Sequence, residues 1–553
     1  MKKGLYSAFA LFLIVAIIVG ITYKTIPEES NELVEEPHVE PTVTVDEQIT
    51  SIVNEAKLGT VPNFMGTVGV TMLNEVESMW VTQSSPANCA ETENGVYIDY
   101  PEHETVIGAV DELVFDIRYS GKPLPSIRYE DIKRMQGDPQ KIRTFNDDTH
   151  DQIILVYQVT DVYQLKWILP KPTDGVPNPA VDHIAVWTKV ESMQEKMLDE
   201  MTLDEKIGQL IIAGIDGTDI NAASRQLIEQ QKIGGVIFYS NNVETPDQTV
   251  QFVNSLKDAN KSNRLPMFFS IDQEGGRVSR LPKQVEKLPT SEEIGKVNDS
   301  QYAFNIGRAL GMELVEFGFN MNFAPVLDVN SNPNNPVIGN RSFSADPKVV
   351  SSLGVQTMKG IEKENVIPVV KHFPGHGDTS VDSHLELPKV NKTMMELEQL
   401  ELIPFKKAIE ENADVIMIAH ILLPELDKIS PASMSEPIIT NLLRNELGFN
   451  GIIMTDDLTM KAITNHYGIA HAAVESFKAG SDILLVAHDP VKTIAVLEAL
   501  KAAVASGEIS ESRIDASVAR IVSLKDKYSL VNQSTPIVGI QKLNKNIRET
   551  LKK

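Results

Sequence analysis

At 553 residues the chain exceeds what one hydrophobic core holds, so two or more domains are expected. A hydrophobic fraction of 42% with 23% charged residues is ordinary for globular protein and excludes a disordered, collagenous or polytopic membrane class. Fifty-one basic against 76 acidic residues give −25, which repels phosphate backbones and argues against nucleic acid as a partner, while the single cysteine, Cys89, excludes an intramolecular disulfide and a cysteine zinc site.

Met1, Lys2 and Lys3 precede an apolar run over residues 5–21, long enough at about 1.5 Å per residue to approach the thickness of a bilayer core. Leading lysines favour a cytoplasmic start. No small-x-small cleavage site follows Gly20 and no cysteine is available there for lipid attachment. Residues 1–25 therefore read as an uncleaved membrane anchor that leaves the remainder extracytoplasmic, or secreted if the segment is cleaved. Residues 26–47 carry Glu28, Glu29, Glu32, Glu35, Glu36, Glu40 and Asp46 with three prolines, a composition that reads as an extended acidic linker.

A first folded domain is expected over residues 48–193. Helical stretches at 72–80 and 128–135 are each followed by strand-like alternation, at 96–100 and 114–119 and again at 153–159 and 163–169, a weak repeat of helix plus meander. Trp167-Ile-Leu-Pro-Lys-Pro-Thr173 and Asn178-Pro-Ala-Val-Asp-His-Ile184 resemble the small YjgB-like domains secreted by Gram-positive bacteria. That resemblance implies a small α+β domain, here a binding or spacing module touching wall polymer or another envelope protein. Asp182 and His183 beside a strand read as a structural pair.

From residue 194 to 530 short apolar runs alternate with helical stretches. The runs lie at 209–215, 235–238, 267–271, 321–326, 367–370, 415–419, 451–455 and 483–486. Each is apolar on both faces, as parallel strands covered by helices are, and eight such repeats fit an α/β fold of the (β/α)8 TIM-barrel type. The alternative is an open doubly wound sheet. Asp216, Asp272, Asp328, Lys371 with His372, His420 and Asp456 follow six of the eight runs, at the ends where barrel enzymes assemble their sites.

Within this region Glu205-Lys-Ile-Gly-Gln-Leu210, Asp272-Gln-Glu-Gly-Gly-Arg-Val278, Gly339-Asn-Arg-Ser-Phe343, Lys371-His-Phe-Pro-Gly-His-Gly-Asp378, Asp382-Ser-His384 and Thr455-Asp-Asp457 resemble family-3 glycoside hydrolases. They are most similar to the NagZ-type β-N-acetylglucosaminidases that act on peptidoglycan fragments. The resemblance implies Asp456 as nucleophile, Asp382 and His384 as an acid/base dyad, and Asp272, Arg341, Lys371 and His372 as the holders of the terminal sugar. It also implies an oligosaccharide substrate containing GlcNAc.

The residue types suit those roles. An ionised carboxylate under the anomeric carbon can form a glycosyl-enzyme, and a histidine oriented by an aspartate can deliver and recover a proton. Period-two alternation puts Asp456 and Asp457 on opposite faces, so Asp457 reads as structural. No metal or other cofactor is expected, because His372, His376 and His384 sit in or beside a glycine-rich loop that holds ligands poorly. His420 reads equally well as a barrel-wall histidine. Residues 531–553, too few for a second sandwich domain, read as a tail ending in a short basic, solvated helix. Three other readings stay open: phosphorolysis through the same intermediate, a β-glucosidase or β-xylosidase on the same scaffold, and a wall-binding protein with an inactive barrel.

Overall fold

The structure is a computed structural model that describes residues 43–80, 88–92, 95–147, 149–190, 193–383 and 386–552. The apolar run at 5–21, most of the acidic linker and His384 lie outside the described residues. Among the described residues no helix is long and apolar enough to cross a membrane. The molecule divides between Val190 and Glu191 into two compact units.

The first unit begins earlier than the charge pattern indicated. Helix α1 (Val45–Lys57) starts inside the stretch read as linker, because the Thr44 hydroxyl accepts the Glu47 N–H while the Glu47 carboxylate accepts the Thr44 N–H. Glu47, at the end of the stretch read as linker, is thus a helix-capping residue, and Asp46 accepts from Arg134 of the same unit. Helix α2 (Leu73–Met79) is followed by strands β1 (Asn88–Thr92), β2 (Gly95–Tyr100), β3 (Thr105–Val110) and β4 (Leu113–Tyr119). Helix α3 (Tyr129–Gln136) is followed by β5 (Lys141–Asn146), β6 (Asp151–Gln158), β7 (Tyr163–Pro170) and β8 (His183–Thr188). The sheet order β1-β2-β3-β4-β8-β7-β6-β5 is antiparallel throughout, so the two helix-plus-meander halves meet along their last strands. Alternate residues of β2–β4 and β6–β8, among them Ile107, Ile117, Trp167 and Ile184, form one core with Ile49, Ile52 and Ile132 of α1 and α3. The His183 ring lies 2.7 Å from Asp182 at the start of β8, a surface pair.

The second unit contains strands β9 (Ile211–Gly214), β10 (Gly235–Phe238), β11 (Phe268–Ile271), β12 (Met321–Asn322), β13 (Ile367–Phe373), β14 (Val415–Ile418), β15 (Ile452–Thr455) and β16 (Leu484–Val486). All neighbours pair in parallel in the order β15-β14-β13-β12-β11-β10-β9-β16, and a parallel bridge between Met454 and Ile483 closes the ring. The eight apolar runs are therefore the eight staves of a (β/α)8 barrel. Every strand residue is buried, since helices such as Ser300–Phe317 and Pro347–Lys363 cover the outer faces.

The chain after residue 530 is not a solvated tail. Thr535 exchanges two hydrogen bonds with Asn254, and the helix Ile540–Thr550 buries Leu543 and Ile547 in the barrel's own hydrophobic cluster. Apolar residues at helical spacing on an otherwise charged segment provide that one buried stripe.

Candidate active site

The loop after β11 carries Asp272 and Glu274. Here the backbone runs so close to residues 288–290 that a Cβ on Gly275, at φ +89°, would stand 2.6 Å from the Pro289 carbonyl oxygen. Lys371 Nζ donates to Asp272 Oδ1 at 2.6 Å and lies 2.8 Å from Glu274 Oε1. Arg341, in a short turn at 339–341, grips Glu274 in bidentate fashion, Nε to Oε2 at 2.9 Å and Nη2 to Oε1 at 2.7 Å. Burial raises a carboxyl's pKa, but the Arg341 and Lys371 charges outweigh it and hold Glu274 far below the usual carboxylate range. Burial works against the Lys371 ammonium likewise, yet Asp272 and Glu274 keep it above its ordinary value.

Lys371 and His372 lie within β13 rather than after it. Strict alternation would send them to opposite faces, but the ladder to β14 is irregular between Val370 and Phe373, and both reach carboxylates. His372 Nδ1 donates to Asp328 Oδ2 at 2.7 Å, and the backbone N–H groups of His372 and His376 both donate to Asp328 Oδ1. Asp328 is fully buried; burial alone would raise its pKa, and the His372 charge reverses that to a net lowering. His376 stands behind His372, its ring centroid 5.8 Å away, with Nδ1 2.8 Å from Thr379 Oγ1 and Nε2 3.2 Å from Ser383 Oγ. Burial, then the neighbouring His372, pushes His376 down to about 4, so it is neutral near pH 7.

Asp456 follows β15. Its backbone N–H donates to the Ile418 carbonyl of β14, and its Oδ1 accepts the Asp457 N–H at 2.8 Å. Asp457 turns the other way, accepting from Thr459 N–H, Thr459 Oγ1 and Ala487 N–H, which ties the turn after β15 to the end of β16. Its structural reading stands. His420 is fully buried between Ser433 Oγ at 2.7 Å and the Asp457 carbonyl at 2.9 Å.

The loop over 374–388 places Asp382 and Ser383, while His384 is outside the described residues. Ser383 is fixed from two sides, by His376 and by the Ala462 N–H, which donates to the Ser383 carbonyl at 3.2 Å. Gly377 lets this loop pass against the chain at residue 329; a Cβ there would stand 1.7 Å from the Val329 carbonyl oxygen. Parallel strands closed into one ring put Asp272, after β11, Lys371, late in β13, and Asp456, after β15, at the same end of the barrel. Tyr239, after β10, has its pKa driven well up by burial and then by the carboxylates of Asp457, Asp272 and Asp456, and the Asp456 charge also acts on His376.

The barrel thus brings Asp272, Arg341, Lys371, His372 and Asp456 to the carboxyl ends of its strands. Sequence reasoning missed Glu274 as the shared counter-ion of Arg341 and Lys371, and it noted Asp328 only as a strand-end charge. Glu274 stands two residues after Asp272, a spacing that shares a face in extended chain, and this was the one available signal.

Residues 202–524 match the Glycosyl hydrolase family 3 N terminal domain, and residues 49–187 match a domain of unknown function, DUF4309. Beta-hexosaminidase A of Pseudoalteromonas piscicida is 40% identical over 338 residues, 57% of this chain and 56% of that protein. The beta-hexosaminidase of Nitrosomonas eutropha is 31% identical over 347 residues, 61% of this chain and 98% of that protein. This chain thus spans just over half the length of the first relative and nearly all of the second. The solved glycoside hydrolase family 3 beta-N-acetylglucosaminidase from Paenibacillus sp. str. FPU-7 superposes with a TM-score of 0.59 at 40% identity, covering 63% of this chain and 69% of that one. With more than half of its length matched, this chain belongs to glycosyl hydrolase family 3.

Proposed function

We propose that the protein is a retaining exo-β-N-acetylglucosaminidase that releases terminal GlcNAc from peptidoglycan-derived fragments. The observation that carries this reading is that Asp456, after β15, and the Asp272–Lys371–Glu274–Arg341 ion cluster lie on the carboxyl-end side of one closed parallel barrel, in a family-3 chain whose relatives are named beta-hexosaminidases.

In this mechanism Asp272, Arg341, Lys371 and His372 hold the hydroxyls of the terminal sugar. Asp456 attacks the anomeric carbon, the bond to the leaving oxygen breaks, and that oxygen takes a proton from His384, oriented by Asp382. A water then attacks the same carbon, gives its proton to neutral His384, and frees Asp456. The hydrolytic chemistry uses no metal or other cofactor. The N-terminal apolar run tethers the enzyme at the outer face of a membrane, and the unit ending at Val190 contacts wall polymer or an envelope protein.

The test is turnover of matched aryl β-glycosides, with and without phosphate, and the anomer released. GlcNAc released first as the β-anomer, independently of phosphate, is expected. Preference for a glucoside or xyloside, release of GlcNAc-1-phosphate, or inversion would overturn the assignment.

A further inference from the structure

We infer that Glu274, which has no role in the proposed chemistry, is the positioning residue of the sugar pocket: it holds Lys371 and Arg341 in place while Asp272 turns to the substrate. The Glu274 side chain is 4% exposed, and both its oxygens are occupied by Arg341, one of them also by Lys371. It therefore acts through those two cations and does not touch the sugar itself.

Asp272, at 18% exposed, is the more open of the two carboxylates, and Lys371, at 2%, is the most enclosed member of the cluster. Two buried cations beside Asp272 alone would leave a net positive charge in a low-dielectric pocket, which is costly. Glu274 balances the set at two positive and two negative groups. A carboxylate that accepts sugar hydroxyls must share the oxygens it offers to Lys371. When Asp272 does so, Glu274 keeps Lys371 ionised and aimed. Asp272 and Asp328 are the other carboxylates whose charges act on Arg341, after Glu274, which alone of the three accepts its bidentate grip.

The inference rests on the reading that these residues bind the terminal sugar, and the experiment separates the two. Glu274→Gln keeps the shape and removes the charge. With the full chain and a nitrophenyl GlcNAc substrate, KM is expected to rise about tenfold or more with kcat within about threefold, and the inhibition constant of free GlcNAc to rise in parallel. Lys371→Met, measured alongside, is expected to raise KM as well. If Lys371→Met raises KM and Glu274→Gln leaves it unchanged, or lowers only kcat or thermal stability, the positioning role is overturned and the pocket stands. If Lys371→Met leaves KM unchanged, both fall. Should Glu274→Gln fail to fold, Glu274→Asp keeps the charge at a shorter reach, and an unchanged KM and GlcNAc inhibition constant in that variant would overturn the role.

Discussion

His376 Nε2 lies 3.2 Å from the Ser383 hydroxyl, so a histidine three residues beyond β13 grips the residue next to Asp382. The ring is fully used: it meets Thr379 through Nδ1 and Ser383 through Nε2, one nitrogen donating and the other accepting in a neutral imidazole. With its pKa pushed down to about 4, that arrangement persists across the neutral range. The loop that carries the proposed dyad is thereby anchored to the wall that holds the proposed sugar ligands.

Ser383→Ala should therefore impair proton delivery more than sugar binding. The expected result is a loss of about tenfold or more in kcat/KM on substrates with poor leaving groups and less than about twofold on a nitrophenolate leaving group, because only the former need a proton on departure. Equal losses on both would separate the contact from acid catalysis.

Asp456→Asn removes the carboxylate proposed to form the glycosyl-enzyme while preserving shape. Asp456 sits at a strand end with its backbone held by Ile418, and its loss removes little packing. Activity on an activated aryl GlcNAc is expected to fall by at least about a hundredfold with thermal stability close to wild type. A variant that retained more would place the nucleophile elsewhere.

Asp457→Ala should do the converse. Its carboxylate accepts from Thr459 and Ala487 and so joins the turn after β15 to β16, and its loss leaves buried donors without partners. A fall in stability on the order of 1–3 kcal/mol is expected, readable as a lower denaturant midpoint, with any loss of kcat following from disorder of the turn. Full stability with abolished turnover would make Asp457 a reacting group instead.

The strands of the barrel were legible because parallel strands covered on both sides must be continuously apolar, and the position after each run marked the mouth. What spacing conceals is pairing at long range. Glu274 meets Arg341 67 residues away, and Asp328 meets His372 44 residues away. Neither partnership leaves a local pattern. In the first unit β5 is exposed along its whole length, so no alternation of burial marks it, whereas β7, with Leu165, Trp167 and Leu169 turned inward, stands out. The C-terminal helix was misread because its charged residues outnumber the few apolar ones that anchor it.

Glu313 gives a pH-dependent test of the wall behind the site. It lies fully buried on the helix Ser300–Phe317, where Gln273, the neighbour of Asp272, donates to its Oε2 at 2.8 Å and Oε1 has no hydrogen-bond partner among the described residues. Burial pushes its carboxyl up from 4.5 to about 8. A group whose folded pKa exceeds its unfolded value contributes stability that is fully present below the unfolded pKa and lost as pH rises through the folded one. For Glu313 that window runs from pH 4.5 to about 8, and the full loss across it is up to about 5 kcal/mol. Glu313→Gln keeps an oxygen facing Gln273 and removes the titration. The Tm advantage of the variant over wild type should therefore grow steadily from pH 5 to pH 8, as measured by thermal unfolding at a series of pH values. Parallel Tm curves over that range would mean that Glu313 titrates alike in the folded and unfolded chains.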